Sequence, residues 1–345
     1  SRRTMGSGPH KLPAGRRHFK CAGELAGISG VLTDRLTEPA TLDTFLLPGR
    51  TPRATEWIPI LRIAADREGA AALAASLADA LREGTASPED IILNPGPGAT
   101  LQDVLDGNLG LLVLHAADLP ARLPLGLVSE IVLERRDPRT VSVVASAPPT
   151  PLRELPASSG VICPSDREAA LLRALHPELA VAPGSGEGLG PSAVDGALRR
   201  VGQGEADAVL LPAWIWALHR SPGLGAEALP RTVWIPRPGE GGTAVVSAIS
   251  DTVAASAIEA LIHPSTRGEV MSELSFLESV DPRPGVTVLS TGLSYGTGLR
   301  LWGLLLDPEG RRAVRVDRTG YVAAPEPLGW ELAADTVSRS AGVLA

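Results

Sequence analysis

The segment from residue 108 to residue 139 constrains the fold of this chain more than any other. It contains two apolar runs, residues 109–114 and 127–133, which are separated by a proline-rich turn. Both runs have the length of buried strands rather than of helices. His115 and Asp118 follow the first run, and ligands of open α/β sheets bind just beyond the carboxyl ends of strands. Asp118 is therefore the first candidate for a functional side chain.

The composition excludes several classes of function. Of the 345 residues, 44% are hydrophobic and 21% are charged, which is typical of a globular protein with two or three domains. A net charge of −7 argues against a nucleic-acid partner. No apolar run approaches the roughly 20 residues that cross a bilayer, so no transmembrane segment is predicted. The two cysteines, Cys21 and Cys163, and the scattered histidines predict neither a disulfide framework nor a metal site.

The N-terminal residues have an unusual charge pattern. Residues 1–22 contain no Asp or Glu and carry six Lys or Arg residues. A basic segment without acidic residues is typical of mitochondrial or plastid targeting sequences, and a basic tail without a targeting role is the alternative. We therefore predict an organellar location, with the cytoplasm as the alternative. Residues 1–57 as a whole are predicted to be an extension that derives from targeting or binds a partner protein.

Several motifs along the chain resemble those of one enzyme family, hydroxymethylbilane synthase, also called porphobilinogen deaminase. The family's D-L-A-V-H-S-L-K-D-V-P-x-x-L-P-x-G-L resembles residues 110–127, and its R-E-D-P-R-D resembles residues 136–139. Its P-A-P-G-Q-G-A resembles Pro236-Arg-Pro-Gly-Glu-Gly-Gly242. Its D-P-E-T-R-x-x-V-x-A-E-R-A-F-L resembles residues 263–277. The resemblance extends from about residue 61 to residue 318.

This resemblance implies an α/β chain with the three-domain porphobilinogen-deaminase fold. In that fold the first two domains resemble periplasmic binding proteins, and the third domain is α+β. The Pro-rich residues 146–156 would then be a hinge. The predicted parts are an extension at 1–57, a first domain at 58–146 plus about 236–250, a second domain at 151–235, a third domain at 254–330 and a C-terminal tail at 331–345.

The resemblance also implies which side chains would carry the chemistry. Polymerising porphobilinogen needs a carboxylate beside cationic pyrroles, and arginines for the carboxylates of the substrate. Asp118 matches the family's catalytic carboxylate, and capping of the turn before Pro120 is the alternative. Ser165 and Arg167 match the substrate-binding motif V-G-T-S-S-L-R-R-Q, while Glu168 stands at its second arginine. For Arg167, a solvated or ion-paired surface role is the alternative.

One further position bears on the cofactor. In the family's G-G-G-C-Q-V-P, the cysteine carries a dipyrromethane through a thioether, and Pro284 occupies that position here. Attachment of dipyrromethane is therefore predicted to be lost, and neither a cofactor nor a metal is expected. Cys163 lies in a different domain and is interpreted as an ordinary half-buried cysteine.

Two tryptophans stand where the family has small residues. For Trp214 and Trp216, two interpretations stay open: anchors at a protein interface, where aromatic residues are common, or packing of a rebuilt cleft. His115 is interpreted as a hydrogen-bonded structural residue. The glycine-rich residues 184–190 lack the lysine and the spacing of a phosphate loop, and they are interpreted as a flexible insertion.

These departures favour a catalytically inactive relative of hydroxymethylbilane synthase. It would act as a structural or assembly subunit of a larger, organellar complex, with other protein subunits as its partners. The alternative is an enzyme of tetrapyrrole synthesis that polymerises porphobilinogen on a non-covalent primer with the help of Asp118. A second alternative is a small-ligand binding protein that uses the interdomain cleft as a hinge trap.

Overall fold

The computed structural model describes residues 61–65, 68–84, 90–94, 98–120, 122–182, 186, 188–280 and 285–340. The predictions for residues 1–57, for Pro284 and for the last five residues of the chain lie outside this part. Within it, no helix is both long enough and apolar enough to span a membrane.

Strands and helices alternate along most of the described chain. The strands are β1 Leu61–Ala65, β2 Ile91–Leu93, β3 Leu111–His115, β4 Leu127–Val132, β5 Thr140–Val144, β6 Gly160–Ile162, β7 Ala180–Val181, β8 Ala208–Pro212, β9 Gly225–Ala228, β10 Thr243–Ala248, β11 Thr287–Tyr295, β12 Gly298–Leu306 and β13 Ala313–Tyr321. The helices are α1 Glu68–Gly84, α2 Leu101–Leu105, α3 Asp166–Leu175, α4 Pro191–Gly202, α5 Ala213–Leu218, α6 Thr252–Glu259, α7 Pro264–Val280 and α8 Pro325–Arg339.

These strands form three sheets, and the predicted α/β class is confirmed. The first sheet has the order β2-β1-β3-β10-β4, and the second has the order β7-β6-β8-β5-β9. In each of the two, one strand runs against its neighbours: β10 in the first and β5 in the second. The third sheet, β11-β12-β13, is antiparallel throughout. The domain boundaries given above stay a prediction.

Strand β3 lies in the middle of the first sheet, and all five of its residues are buried. Leu111 and Val113 pack with helix α1, whereas Leu112 and Leu114 pack on the other face with α2 and α7. Because both faces are covered, the sequence of β3 is continuously apolar instead of alternating. The strand ends at His115, so Asp118 lies just beyond the carboxyl end of this central strand.

The chain crosses from the first sheet to the second after β4 and returns before β10. The returning segment passes very close to the end of β3. Gly239 has a φ of +78°, and a Cβ atom there would lie 2.7 Å from the backbone N of Ala117. Only glycine accommodates both the positive φ and the close approach. The returning segment therefore brings Arg237 and Glu240 next to the turn that carries Asp118.

A buried carboxylate on α7 ties both crossings to the third sheet. Glu273 accepts hydrogen bonds from Arg135 Nη1 at 2.7 Å and from Arg135 Nη2 at 2.9 Å. It also accepts from the backbone N–H groups of Gly239, at 2.8 Å, and Gly292, at 2.7 Å. Burial lowers the pKa of Arg135, but the negative charge of Glu273 opposes burial and the net direction is upward. These four residues are called the Glu273 cluster below.

The range predicted as a C-terminal tail, 331–345, contains part of a helix. Helix α8 continues to Arg339. Leu328, Leu332 and Ala333 are buried in the core of the third sheet together with Phe276 of α7. This apolar face stabilises the helix, since helices in proteins depend mainly on such packing.

Candidate functional site

A cavity of about 540 Å³ lies between the end of β3, the start of α3 and helix α5. Of the residues predicted for the site, Asp118, Ser165, Arg167 and Trp214 line this cavity. Trp216 is partly buried and packs against the core of the second sheet. The cavity is therefore lined by side chains that follow strands of the first sheet and of the second sheet.

Asp118 lies at the end of a single 3-10 turn, Ala116–Asp118, which follows β3 directly. Arg237 Nη1 donates a hydrogen bond to Asp118 Oδ1 at 3.1 Å, and both side chains are less than one-fifth exposed. The carboxylate of Asp118 therefore has a cationic partner in the wall of the cavity. A carboxylate paired in this way has less charge to offer to a cationic ligand.

Arg237 connects Asp118 to a second carboxylate. Arg237 Nε donates to Glu240 Oε2 at 2.6 Å, and Trp214 Nε1 donates to Glu240 Oε1 at 2.7 Å. Burial lowers the pKa of Arg237, but the charges of Glu240 and Asp118 oppose it and the net direction is upward. Asp118, Arg237, Glu240 and Trp214 thus form one connected group, called the Arg237 cluster below.

Sequence reasoning missed Arg237 and Glu240, although the motif that contains them is part of the resemblance. Arg237 stands at the alanine of P-A-P-G-Q-G-A, and Glu240 stands at its glutamine. The signal was the departure from the motif: two opposite charges, three residues apart, enter a segment that must pass beside Asp118. Only the three-dimensional structure shows that Arg237 lines the cavity and that the buried Glu240 bonds to two lining side chains, Arg237 and Trp214.

Ser165 and Glu168 form the N-terminal turn of α3. Ser165 is the N-cap, and its Oγ accepts a hydrogen bond from the backbone N of Arg167 at 3.3 Å. The Ser165 hydroxyl also donates to the carboxyl group of Glu168, the third residue of the helix. Burial, together with the nearby negative charge of Glu240, raises the pKa of Glu168. Arg167 itself is exposed at the rim of the cavity.

Trp214 fills space between the first sheet and the second sheet. It is 8% exposed, and its ring lies 4.9 Å from that of His115, centroid to centroid. On the same tryptophan, the guanidinium of Arg136 lies 5.6 Å from the ring centroid, within the range of a cation–π contact. Within this chain Trp214 therefore packs the cleft. A role for Trp214 or Trp216 at an interface stays a prediction.

His219 forms part of the wall that α5 contributes. Its Nδ1 lies 2.9 Å from Asp195 Oδ1, a hydrogen bond in which the ring N–H donates to the carboxylate. This bond fixes the orientation of the ring and, in a neutral ring, leaves Nε2 as the acceptor nitrogen.

Cys163 lies directly before the α3 turn and is fully buried. Burial raises the pKa of its thiol to about 12. A thiol with so high a pKa is a poor nucleophile at neutral pH, because the thiolate is the reactive form. Cys163 is thus more deeply buried than the half-buried cysteine predicted from the sequence, and its raised pKa agrees with an ordinary, unreactive cysteine. Elsewhere among the described side chains, no three His, Cys, Asp or Glu residues come together as metal ligands.

Comparison with known proteins places this architecture in one class. A family model described as porphobilinogen deaminase, dipyromethane cofactor binding domain, matches residues 100–256. The porphobilinogen deaminase of Thermus thermophilus is 32% identical over 239 residues, which cover 68% of this chain and 76% of that protein. The one from Acidothermus cellulolyticus is 32% identical over 247 residues, 70% of this chain and 72% of that protein. The chain belongs to the porphobilinogen deaminase family, as its motifs predicted.

Among solved structures, full-length CbnR complexed with its target DNA matches with a TM-score of 0.39 and 16% identity. The match covers 58% of this chain and 66% of that one. A likeness of this degree carries no argument about the present protein.

The lining of the cavity does not fit the dipyrromethane that the family name implies. Such a group bears several carboxylates, so its site needs guanidinium groups that are free to face it. Here Arg237 already donates to Asp118 and Glu240. Glu168 adds a partly buried carboxyl group where the family motif has a second arginine. A polyanion placed in this cavity would meet acidic groups and few available cationic ones.

Proposed function

We propose that this protein is a catalytically inactive member of its family that serves as a structural or assembly subunit. The observation that carries the proposal is the ion pair between Arg237 and Asp118. Porphobilinogen polymerisation passes through cationic pyrrole intermediates, and an ionised carboxylate beside them is the group that stabilises them. Arg237 offsets the charge of that carboxylate within the wall.

Two further departures support the loss of catalysis. Glu168 replaces an arginine of the substrate-binding motif, and Pro284 replaces the cysteine that would anchor the growing chain. A covalently primed polymerisation requires a thiolate at the anchor. The buried Cys163, with its raised pKa, is poorly suited to take over that role.

An exposed apolar patch supports a partner protein. Leu125 is 98% exposed and Ile249 is 71% exposed. They lie side by side, because Ile249 N donates a hydrogen bond to the carbonyl oxygen of Gly126 at 2.9 Å. Leu105 borders the same place, since a Cβ on Gly126 would lie 3.7 Å from Leu105 Cδ2. Clustered apolar side chains of this kind are typical of interaction sites.

The loss of catalysis is tested by incubating the full-length protein with porphobilinogen. We expect no product by absorbance and no change in intact mass. An active family member, assayed in parallel, provides the positive control. A mass gain in pyrrole units, or release of a linear tetrapyrrole that Asp118→Ala abolishes, would contradict the proposal and favour the enzyme with a non-covalent primer.

The role as a subunit is tested by the native size of the protein in gentle extracts of its source. We expect a species larger than the monomer that is lost in the variant Leu125→Glu/Ile249→Glu. The matched control is Val337→Glu, which charges an exposed apolar position on α8. Migration of the native protein as a free monomer would count against an assembly role. The organellar location predicted from residues 1–22 is part of the same proposal and is checked by fractionation.

A further inference from the structure

We propose that the cavity binds an uncharged, largely apolar small molecule that presents a hydroxyl or N–H group to His219. The proposal deepens the proposed function, because it rests on a cleft that no longer serves a polyanionic chain. It assigns a ligand class to the cavity and a recognition role to a side chain that the family motifs do not contain.

The first step is the size and composition of the cavity. Its volume of about 540 Å³ is within the range of sites for small organic ligands. Apolar walls are provided by Leu189, Trp214, Ile215 and Leu218. Such walls stabilise a bound molecule in proportion to the apolar surface that leaves water.

The second step is the charge of the walls. Asp118 pairs with Arg237 at 3.1 Å, and the carboxyl group of Glu168 pairs with the Ser165 hydroxyl. Burial raises the pKa of Glu168, which favours its neutral form. These wall groups therefore balance one another inside the protein. The remaining lining cation, Arg167, is exposed to water at the rim. A charged ligand held among the inner wall groups would therefore lose its hydration without gaining a counter-charge, which is costly.

The third step is the polar group that gives specificity. His219 lines the cavity, and its Nδ1 is engaged by Asp195 at 2.9 Å. The nitrogen that His219 offers to a ligand is then Nε2, which accepts a hydrogen bond in the neutral ring. The matching ligand group is a donor, such as a hydroxyl or an N–H. A ligand without that donor would leave the acceptor without a partner.

The experiment uses three probes with the same naphthalene ring and different charges: 2-(naphthalen-2-yl)ethanol, naphthalen-2-ylacetate and 2-(naphthalen-2-yl)ethylamine. Binding to the full-length protein at pH 7 is measured by saturation-transfer NMR and calorimetric titration. We expect the alcohol to bind at least about tenfold more tightly than either charged probe. That factor corresponds to about 1.4 kcal/mol.

Two pairs of measurements locate the binding. Ala72→Trp places a bulky ring in the cavity and should abolish binding of the alcohol. Ser76→Trp, one turn further along α1 and outside the lining, should leave it unchanged. Replacing the alcohol by its methyl ether tests the donor: the native protein should prefer the alcohol about tenfold, a preference set by one hydrogen bond, and His219→Leu should lose this preference. Circular dichroism verifies that each variant is folded.

The proposal is overturned if the alcohol does not bind, if Ala72→Trp and Ser76→Trp bind it equally, or if a charged probe binds more tightly. Tighter binding of the acetate would show that the cleft still selects anions. That result would be distinguishable from failure of the proposed function, because the porphobilinogen assay reports catalysis separately.

Discussion

The Glu273 cluster and the Arg237 cluster both contain buried charges, but these charges face different surroundings. In the Glu273 cluster, each carboxylate oxygen accepts one hydrogen bond from Arg135 and one from a backbone N–H. In the Arg237 cluster, one guanidinium serves two carboxylates beside a cavity. The first cluster joins parts of the chain, and the second balances charge along a wall that a ligand would touch.

The difference shows how this fold can be separated from its chemistry. The Glu273 cluster holds α7, the returning crossing and β11 together without using any atom of the cavity wall. The two clusters meet at the backbone of Glu240, whose carbonyl oxygen accepts a hydrogen bond from Arg135 Nε at 2.8 Å. A substitution of a wall side chain keeps this backbone acceptor, so it can leave the connections between the sheets intact. A fold and the site it carries can diverge when different side chains support them.

The largest expected effect is the loss of stability on breaking the Glu273 cluster. Glu273→Ala leaves the buried Arg135 without its main partner and two backbone N–H groups without acceptors. Breaking a buried ion pair in this way typically costs about 3–5 kcal/mol, which denaturant unfolding measures. The matched control, Glu278→Ala, changes an exposed carboxylate on the same helix. An equal, small effect of both substitutions would show that the Glu273 cluster does not hold the fold.

A smaller effect is expected in the cavity wall. Arg237→Met leaves Asp118 and the buried Glu240 without their shared cation, and we expect a loss of about 2 kcal/mol because the arginine is partly exposed. The double variant Arg237→Met/Glu240→Gln removes one of the orphaned charges and should recover part of that loss. Non-additivity of this sign identifies side chains that act as one group. If the effects of the two substitutions simply add, Arg237 and Glu240 are not energetically coupled and the Arg237 cluster does not act as a unit.

The sequence predicts the framework of this molecule better than its site. The runs that predict β3 and β4 are confirmed to within two residues at each end, because buried strands carry a continuous apolar signal. Helix α2, Leu101–Leu105, likewise has a local signal, because the Thr100–Asp103 capping box explains its start. Local patterns of this kind act over a few residues.

The site depends on contacts that no local pattern contains. Arg237 and Asp118 are 119 residues apart in the chain, and their ion pair exists only because Gly239 lets the returning segment pass beside Ala117. In the same way, the sequence gives no sign that Glu168 is partly buried or that Trp214 reaches Glu240. The family motif located Asp118 and Ser165 in the cleft, but the partners that change their chemistry came from elsewhere.

The third prediction concerns pH and tests the balance of charge in the cavity wall. Burial raises the pKa of Glu168 above that of the unfolded chain. Its contribution to stability is therefore greatest below the ordinary glutamate pKa and is lost as pH rises through the folded value. Glu168→Gln cannot ionise, so it should exceed the native protein in stability by about 1 kcal/mol at neutral pH.

This stability advantage of Glu168→Gln should vanish at about pH 4, because the glutamate is then largely protonated and, like the glutamine that replaces it, uncharged. Thermal unfolding at a series of pH values measures it, and Glu309→Gln, in the exposed β12–β13 turn, is the control. An advantage that grows as the pH falls would mean that Glu168 is ionised and stabilising in the wall, contrary to the balance described here.

The smallest effect is expected at the surface and sets the scale for both clusters. Arg300 Nη2 and Asp317 Oδ2 are 2.7 Å apart across β12 and β13, with side chains 46% and 42% exposed. Water screens such a pair, so Asp317→Asn should cost less than about 0.5 kcal/mol and still less at high salt. Arg300 keeps its place in that variant because it also lies 4.9 Å from the ring centroid of Trp302. If Asp317→Asn costs as much as Arg237→Met, burial does not distinguish these pairs, and the contrast between wall and surface charges fails.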